Sequence, residues 1–257
     1  MAIHPTAVVE PGAELHPSCA VGPYAVIGPR VRLGEGSSVG AHAVVTGRTT
    51  LGRKNRIFPH AVIGEIPQDL KFRGEDSALE IGDGNTFREF TTVNLGTAGG
   101  GGVTRIGSGG LFMAYSHVGH DCLIGDGAII ANGVALAGHI TIEDHVHISG
   151  LAAAHQFVRI GRLAFVSGLT GLVMDVAPYC TVAGGRAELA GLNLVGLQRA
   201  GMTEEQVGRV KQLYKIFFRS NLQAAEALAQ LKAELAGHPE VDHFIAFVEG
   251  SRRGVTR

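Results

Sequence analysis

Histidine is the side chain best suited to moving protons near neutral pH, and this chain has 12 of them. Several fall in one stretch: His117-Val118-Gly119-His120-Asp121, then His139, His145, His147 and His155-Gln156. A neutral imidazole can take the proton from an alcohol attacking a thioester, a contribution of about 10²–10⁴-fold. Such a base needs a carboxylate or carbonyl to fix its tautomer. Asp121 is adjacent to His120 in sequence, but neighbours along a strand or corner point to different sides, so it is expected to face away. Three other readings stand beside this one. Histidines at β-corners can be plain surface, which is the expectation for His145 and His147. Histidines from adjacent turns of a fold can hold zinc, although no cysteine or clear carboxylate partner accompanies these. A nucleophilic triad lacks its Ser or Cys in a nucleophile elbow.

A repeat positions these residues. Steps of six from Ile3 land on Val9, Leu15, Val21, Ile27, Leu33, Val39, Val45, Leu51, Ile57 and Ile63. The phase returns at Ile81, Phe87 and Val93, then shifts by one and runs from Ile106 through Val118, Ile130, Ile148 and Ile160 to Leu172. Neither a helical nor an alternating period does this. Gly often follows the apolar residue, and the fifth hexad position is small or β-branched, as at Ala25, Ala43, Ala61 and Val146. The pattern predicts a coil with three short flat faces, three hexads per turn. Roughly nine coils at ~4.8 Å each give a prism roughly 40 Å long. Residues eighteen apart then stack, which puts His120, Gly138 and Gln156 in one column with His139 and His155 beside it. The repeat is expected to span 1–185, with breaks at 65–80 and 94–105. A structural rod would have little reason to break its register, and loops on rigid scaffolds commonly carry function.

Beyond Pro178 the hexad fades, and 186–257 is expected to form a helical domain. Thr203-Glu204-Glu205-Gln206 is a capping-box sequence. A second helix is expected from about Leu222 to Leu235, and Pro239 can open a third. Lys211, Lys215 and Arg219 lie four apart, so they share one helix face, either as solvated surface or as a docking patch for an acidic partner.

Bulk properties narrow the class. The formal net charge of −1 gives no argument for nucleic acid or an anionic membrane. Cys19, Cys122 and Cys180 are sparse and lack metal spacing, as expected for a reducing compartment. The first residues lack the charged start and apolar run of a signal peptide. No stretch of ~18 uncharged apolar residues predicts a membrane span. The cytoplasm is the expected location.

Gln68-Asp69-Leu70-Lys71 in the first break, His117-Val118-Gly119-His120-Asp121-Cys122 and Ala154-His155-Gln156-Phe157 together resemble the UDP-N-acetylglucosamine O-acyltransferases of lipid A biosynthesis. The likeness spans essentially the whole chain, including the Arg252-Arg253-Gly254 tail. It implies a left-handed parallel β-helix of hexapeptide repeats with a C-terminal α-helical domain. It implies transfer of a 3-hydroxyacyl chain from acyl carrier protein to the 3-hydroxyl of UDP-N-acetylglucosamine by a homotrimer with no metal and no cofactor. By motif, His120 is the general base, and the Gly138 backbone N–H is the oxyanion donor. Asp69 and Lys71 belong to a substrate-contacting loop. His117, His139, His155 and Gln156 line the cleft, and Asn193 and Arg199 lie near the nucleotide and its phosphates. Gly168 and Met174 match positions that limit acyl length; Gly168, lacking a side chain, leaves room for a longer chain. Lys211, Lys215 and Arg219 would dock the carrier protein.

Three departures concern the acceptor end. Asn94 stands where the family usually has His, Val195 where an acidic residue is usual, and Ala200 where a second Arg is usual. They keep open a UDP-3-amino sugar acceptor with an amide product. A related hexapeptide enzyme that acylates a 2-amino group carries an extra N-terminal domain, whereas here the repeat begins at residue 3.

Overall fold

A computed structural model of the chain describes residues 2–257. Three sheets of 11, 9 and 8 strands wrap one core. They form the three faces of a left-handed parallel β-helix. Face 1 begins at Ala2–Ile3 and includes Ile129–Ile130, His147–Ile148 and Phe165–Val166. Face 2 includes His117–Val118, Ala135–Leu136, Ala153–Ala154 and Gly171–Leu172. Face 3 includes Leu123–Ile124, Thr141–Ile142 and Arg159–Ile160.

The six-residue register is the physical register. Ile3 pairs with Val21, and Val21 with Val39. The first hexad residue points inward: Val21, Ile27, Leu51, Ile63, Val93, Val118 and Leu136 are all buried. So is the fifth, where Ala25, Ala43, Ala61 and Ala128 fill the corners. Each large aliphatic buried this way contributes about 1.5–3 kcal/mol. The glycine after the inward residue has a steric cause: at Gly34 a Cβ would lie 2.5 Å from the Gly52 carbonyl of the next coil.

Both register breaks are excursions from the corner between faces 2 and 3. The chain leaves after Val62–Glu65 and rejoins at Ala78–Ile81, where Ile81 pairs with Leu51. It leaves again after Thr92–Asn94 and rejoins at Val103–Ile106, where Ile106 pairs with Ile81. The shifted phase is thus absorbed outside the prism, and the ladder stays in step.

The fourth hexad position turns most corners with positive φ. Tyr24, His42, His60, Phe90, Tyr115, Leu151 and Leu169 all adopt it at the corner between faces 1 and 2. That conformation costs a non-glycine residue roughly 1–2 kcal/mol. At the corner between faces 3 and 1 the same position is often glycine, as at Gly36, Gly84, Gly109 and Gly127.

The C-terminal part holds α1 (Leu194–Arg199), α2 (Glu204–Phe218), α3 (Ala224–Leu235) and α4 (Pro239–Glu249). The capping box forms: Thr203 Oγ1 accepts from Gln206 N–H, and the Gln206 side chain accepts from Thr203 N–H. α1 carries no strong sequence signal and is nucleated by Asn193, whose Oδ1 accepts from Gly196 N–H at 3.0 Å. A hairpin, Cys180–Ala183 with Glu188–Leu192, closes the end of face 1. Leu163, Tyr179, Leu197, Leu213, Phe217, Leu231 and Phe244 form a second apolar cluster. Buried Asp175 ties the tail down, accepting from Arg159 N–H at 2.8 Å and Ser251 Oγ at 2.7 Å. α2 ends before Arg219, so that residue does not extend the helix face of Lys211 and Lys215. Its guanidinium donates instead to Tyr214 Oη at 2.8 and 3.1 Å. No helix among the described residues is long and apolar enough to cross a membrane.

Candidate active site

The expected column exists at the corner between faces 2 and 3. A Cβ on Gly138 would meet the His120 ring at 2.5 Å, so only glycine lets the imidazole lie across the next coil. His139 N–H donates to the His120 carbonyl at 2.9 Å and keeps the coils in step. Gly138 is buried, and its N–H finds no acceptor among the described residues. His139 stacks on Phe157 at 4.5 Å and meets His120 edge-on at 4.9 Å.

Asp121 does not face away. Its Oδ2 lies 2.7 Å from His120 Nδ1, and both side chains are buried. The expectation failed because Asp121 occupies the positive-φ corner position, φ 58. A strand's alternation does not apply there, and the side chain swings back over its neighbour. The second excursion then grips the carboxylate. Thr97 N–H donates to Oδ1 at 2.8 Å and Thr97 Oγ1 donates to Oδ2 at 2.6 Å. Gly100 packs so closely that a Cβ would lie 2.0 Å from the carboxyl carbon. Carboxylate acceptance from Nδ1–H leaves the Nε2 lone pair of His120 free to take a proton.

His120, Asp121 and His139 bring their ligand atoms within 4.8 Å of one another. The carboxylate already accepts three hydrogen bonds, so a cation there would have to displace them. The arrangement is that of an oriented base. Cys122 is no nucleophile: burial pushes its thiol up to about 12.

Other expected residues distribute around this dyad. His117, on face 2, hydrogen-bonds Thr92 Oγ1 at 2.7 Å, and burial followed by nearby His120 holds its pKa below the usual value. Burial likewise lowers His139, opposed by Asp121. Both are therefore neutral at pH 7. Asp69 and Lys71, on the first excursion, lie near enough for their charges to act on His139. His155 and Gln156 are exposed beside the column. Met174 extends the column by one coil. Gly168 is exposed at the corner between faces 1 and 2. Asn94 is buried, and its Nδ2 donates to the Ile66 carbonyl at 3.1 Å, tethering the first excursion.

Asn193 and Arg199 are elsewhere. They line a cavity of about 900 Å³ on face 1, with His145, His147, Arg162 and Phe165. His145 is exposed at its corner, as expected, on the rim of this cavity, whereas His147 is partly buried in it. His147 is half-buried and its pKa is lowered, first by burial and then by Arg199. No carboxylate pairs with Arg162 or Arg199 among the described residues.

The domain-2 profile of UDP N-acetylglucosamine O-acyltransferases matches residues 175–256, and the bacterial transferase hexapeptide profile (six repeats) matches residues 12–47. The acyl-[acyl-carrier-protein]–UDP-N-acetylglucosamine O-acyltransferase of Anaeromyxobacter dehalogenans strain 2CP-1 is 79% identical over 257 residues, all of both chains. The chain belongs to the UDP-N-acetylglucosamine O-acyltransferase family. The acyltransferase of that name from Myxococcus xanthus is 59% identical over 255 residues, 99% of each chain. The crystal structure of the Moraxella catarrhalis UDP-N-acetylglucosamine O-acyltransferase superposes with a TM-score of 0.97, at 38% identity over 100% of both chains.

Sequence reading of this acyltransferase passed over Thr97, Thr92 and Glu75. The signal for Thr97 was present, since it lies inside the second register break. Glu75 Oε1 accepts from Ala98 N–H at 3.2 Å, linking the two excursions. Thr97→Val removes the hydroxyl donor and keeps the N–H. A hydrogen bond to a charged group is worth about 1.5–3 kcal/mol, so kcat is expected to fall at least roughly tenfold. Thr97→Ser should restore it. Steady-state kinetics on both variants check this, and a Val variant with parent kcat would remove Thr97 from the relay.

Proposed function

We propose that the chain transfers a 3-hydroxyacyl group from acyl carrier protein to the 3-hydroxyl of UDP-N-acetylglucosamine, the first step of lipid A biosynthesis. The observation that carries this reading is the buried His120–Asp121 pair beside the free Gly138 N–H. Nε2 takes the hydroxyl proton as the oxygen attacks the thioester carbonyl. The Gly138 N–H stabilises the oxyanion, where such donors act most strongly. The intermediate collapses, the C–S bond breaks, and His120 returns the proton to the carrier's thiolate. Ester and thiol are the products.

The small outward residues of face 2, Ala135, Ala153 and Gly171, supply a floor for the acyl chain. Met174 and Gly168 stand at opposite corners of that face and bound its length. Asp69, Lys71, His117, His139, His155 and Gln156 surround the reacting groups. Asn193 and Arg199 hold the nucleotide, with Arg199 facing phosphate. Lys211 and Lys215, exposed and without carboxylate partners among the described residues, suit an acidic carrier protein; Arg219 acts with them through Tyr214. We place the enzyme in the cytoplasm.

The base lies at the corner of faces 2 and 3, and the nucleotide cavity lies on face 1. A neighbour must therefore complete each site, which supports a homotrimer. Mixed trimers of His120→Ala and Arg199→Ala chains should regain about one quarter of parent activity, the random-pairing share for sites between subunits. Mixtures no better than the separate variants would overturn the shared site. The reaction itself is tested by offering UDP-N-acetylglucosamine and its 3-amino analogue with a series of acyl carrier thioesters. Faster transfer to the amine, or none to the hydroxyl, would overturn the acceptor.

A further inference from the structure

A single carboxylate joins the two excursions that leave the corner between faces 2 and 3. Glu75 Oε2 accepts from Arg73 N–H at 2.8 Å, within the first excursion. Its Oε1 accepts from Ala98 N–H at 3.2 Å, in the second. These donors, Arg73's before Ala98's, hold the Glu75 carboxyl below the usual carboxylate range. Hydrogen bonds on either side extend the path. The Arg73 guanidinium donates to the Leu70 carbonyl at 2.7 Å, between Asp69 and Lys71. Ala98 follows Thr97, which donates twice to Asp121. Asp121 in turn holds His120 Nδ1 at 2.7 Å.

The second excursion has little else to hold it. After Thr97 it reads Ala98-Gly99-Gly100-Gly101-Gly102, so none of these side chains is larger than a methyl. A glycine run loses more backbone freedom on ordering than any other. Among the described residues, only the side chains of Asp121 and Glu75 hydrogen-bond to 97–102. The Gly102 carbonyl anchors the far end, accepting from Ala78 N–H at 2.8 Å. Glu75 anchors the near end, one peptide from the grip of Thr97 on Asp121. A carboxylate suits this place because its two oxygens serve two N–H groups. An amide of the same shape has one acceptor oxygen. It can serve Arg73 or Ala98, but its NH₂ then faces the other N–H.

We propose that Glu75 is a positioning residue for acyl transfer. It fixes the second excursion, and through Thr97 the Asp121–His120 pair, to the loop of Asp69 and Lys71. This rests on the general-base role proposed above for His120. Glu75 lies outside the apolar core, so its replacement leaves the coils intact. Glu75→Gln in the full chain should lower kcat about threefold to tenfold, the effect of one hydrogen bond, with both KM values within about twofold. Ala98→Pro removes the donor at the other end. Thr97 is already extended, φ −125 and ψ 156, as suits a residue before proline. Ala98 opens its short 3-10 turn, a position where proline is tolerated. That variant should lose the same factor. The double variant should lose no more than either alone, since residues acting through one bond are not additive. Parent kcat in either single variant, or losses that multiply in the double variant, would overturn the coupling. So would a raised KM with kcat at the parent value, which would assign Glu75 to the first excursion alone. A His120→Ala chain with parent kcat would instead overturn the base itself, whatever Glu75 does.

Discussion

Replacing His120 by Ala is expected to lower kcat by about 10²–10⁴-fold, the range for loss of a positioned general base. The imidazole is the group whose free lone pair lies beside the unpartnered Gly138 N–H. Its removal leaves the face 1 cavity proposed for the nucleotide untouched, so KM for the sugar nucleotide should stay within a few-fold. The fold should survive as well, because His120 lies outside the apolar core cluster. Asp121 would keep both Thr97 hydrogen bonds and so would not become an unpaired buried charge. Steady-state kinetics with circular dichroism check the expectation. Activity within a few-fold of the parent would mean that another group takes the proton.

Asp121→Asn is expected to be comparably severe, about 10³–10⁴-fold in kcat, by the logic that an amide in place of an orienting carboxylate selects the wrong tautomer. Here the local donors force that outcome. Thr97 N–H points at Oδ1, so an asparagine would place its carbonyl oxygen there. Its NH₂ would then face His120 Nδ1 where Oδ2 now accepts. Nδ1 becomes the acceptor, the ring proton moves to Nε2, and the base has no lone pair for substrate. The Thr97 hydroxyl can rotate to accept, so the mutant pair is well satisfied and the fold is retained. Nitrogen-15 spectra of labelled histidine should show the tautomer exchanged, with kcat falling alongside. A variant that keeps the Nδ1–H tautomer and parent kcat would exclude Asp121 as the orienting group.

These two predictions differ in how much of them the sequence contains. The six-residue period specified the coils, the inward residues and the stacking of His120, Gly138 and Gln156. A short period is legible because each corner is closed by local turn geometry, and each strand pairs with the chain eighteen residues on. The motifs around Gln68, His120 and His155 carried the chemistry for a related reason: they mark where the period breaks or turns polar. The cap was legible at Thr203 and Pro239, whose effects on a helix start are local.

Tertiary structure alone decided the rest. Asp121 turns toward His120 because a corner residue at positive φ does not follow strand alternation, and because an excursion without periodicity brings Thr97 onto it. His147 borders a cavity because α1, with little sequence signal, packs opposite it. Asn94 is buried because the first excursion folds across it. His120 and the cavity of His147 and Arg199 fall on different faces because a prism gives each residue a direction as well as a place. The sequence by itself determined the scaffold and the stacking of His120 on Gly138, both set by contacts within one or two coils. Orientation of that histidine depends on long-range packing that no local pattern encodes.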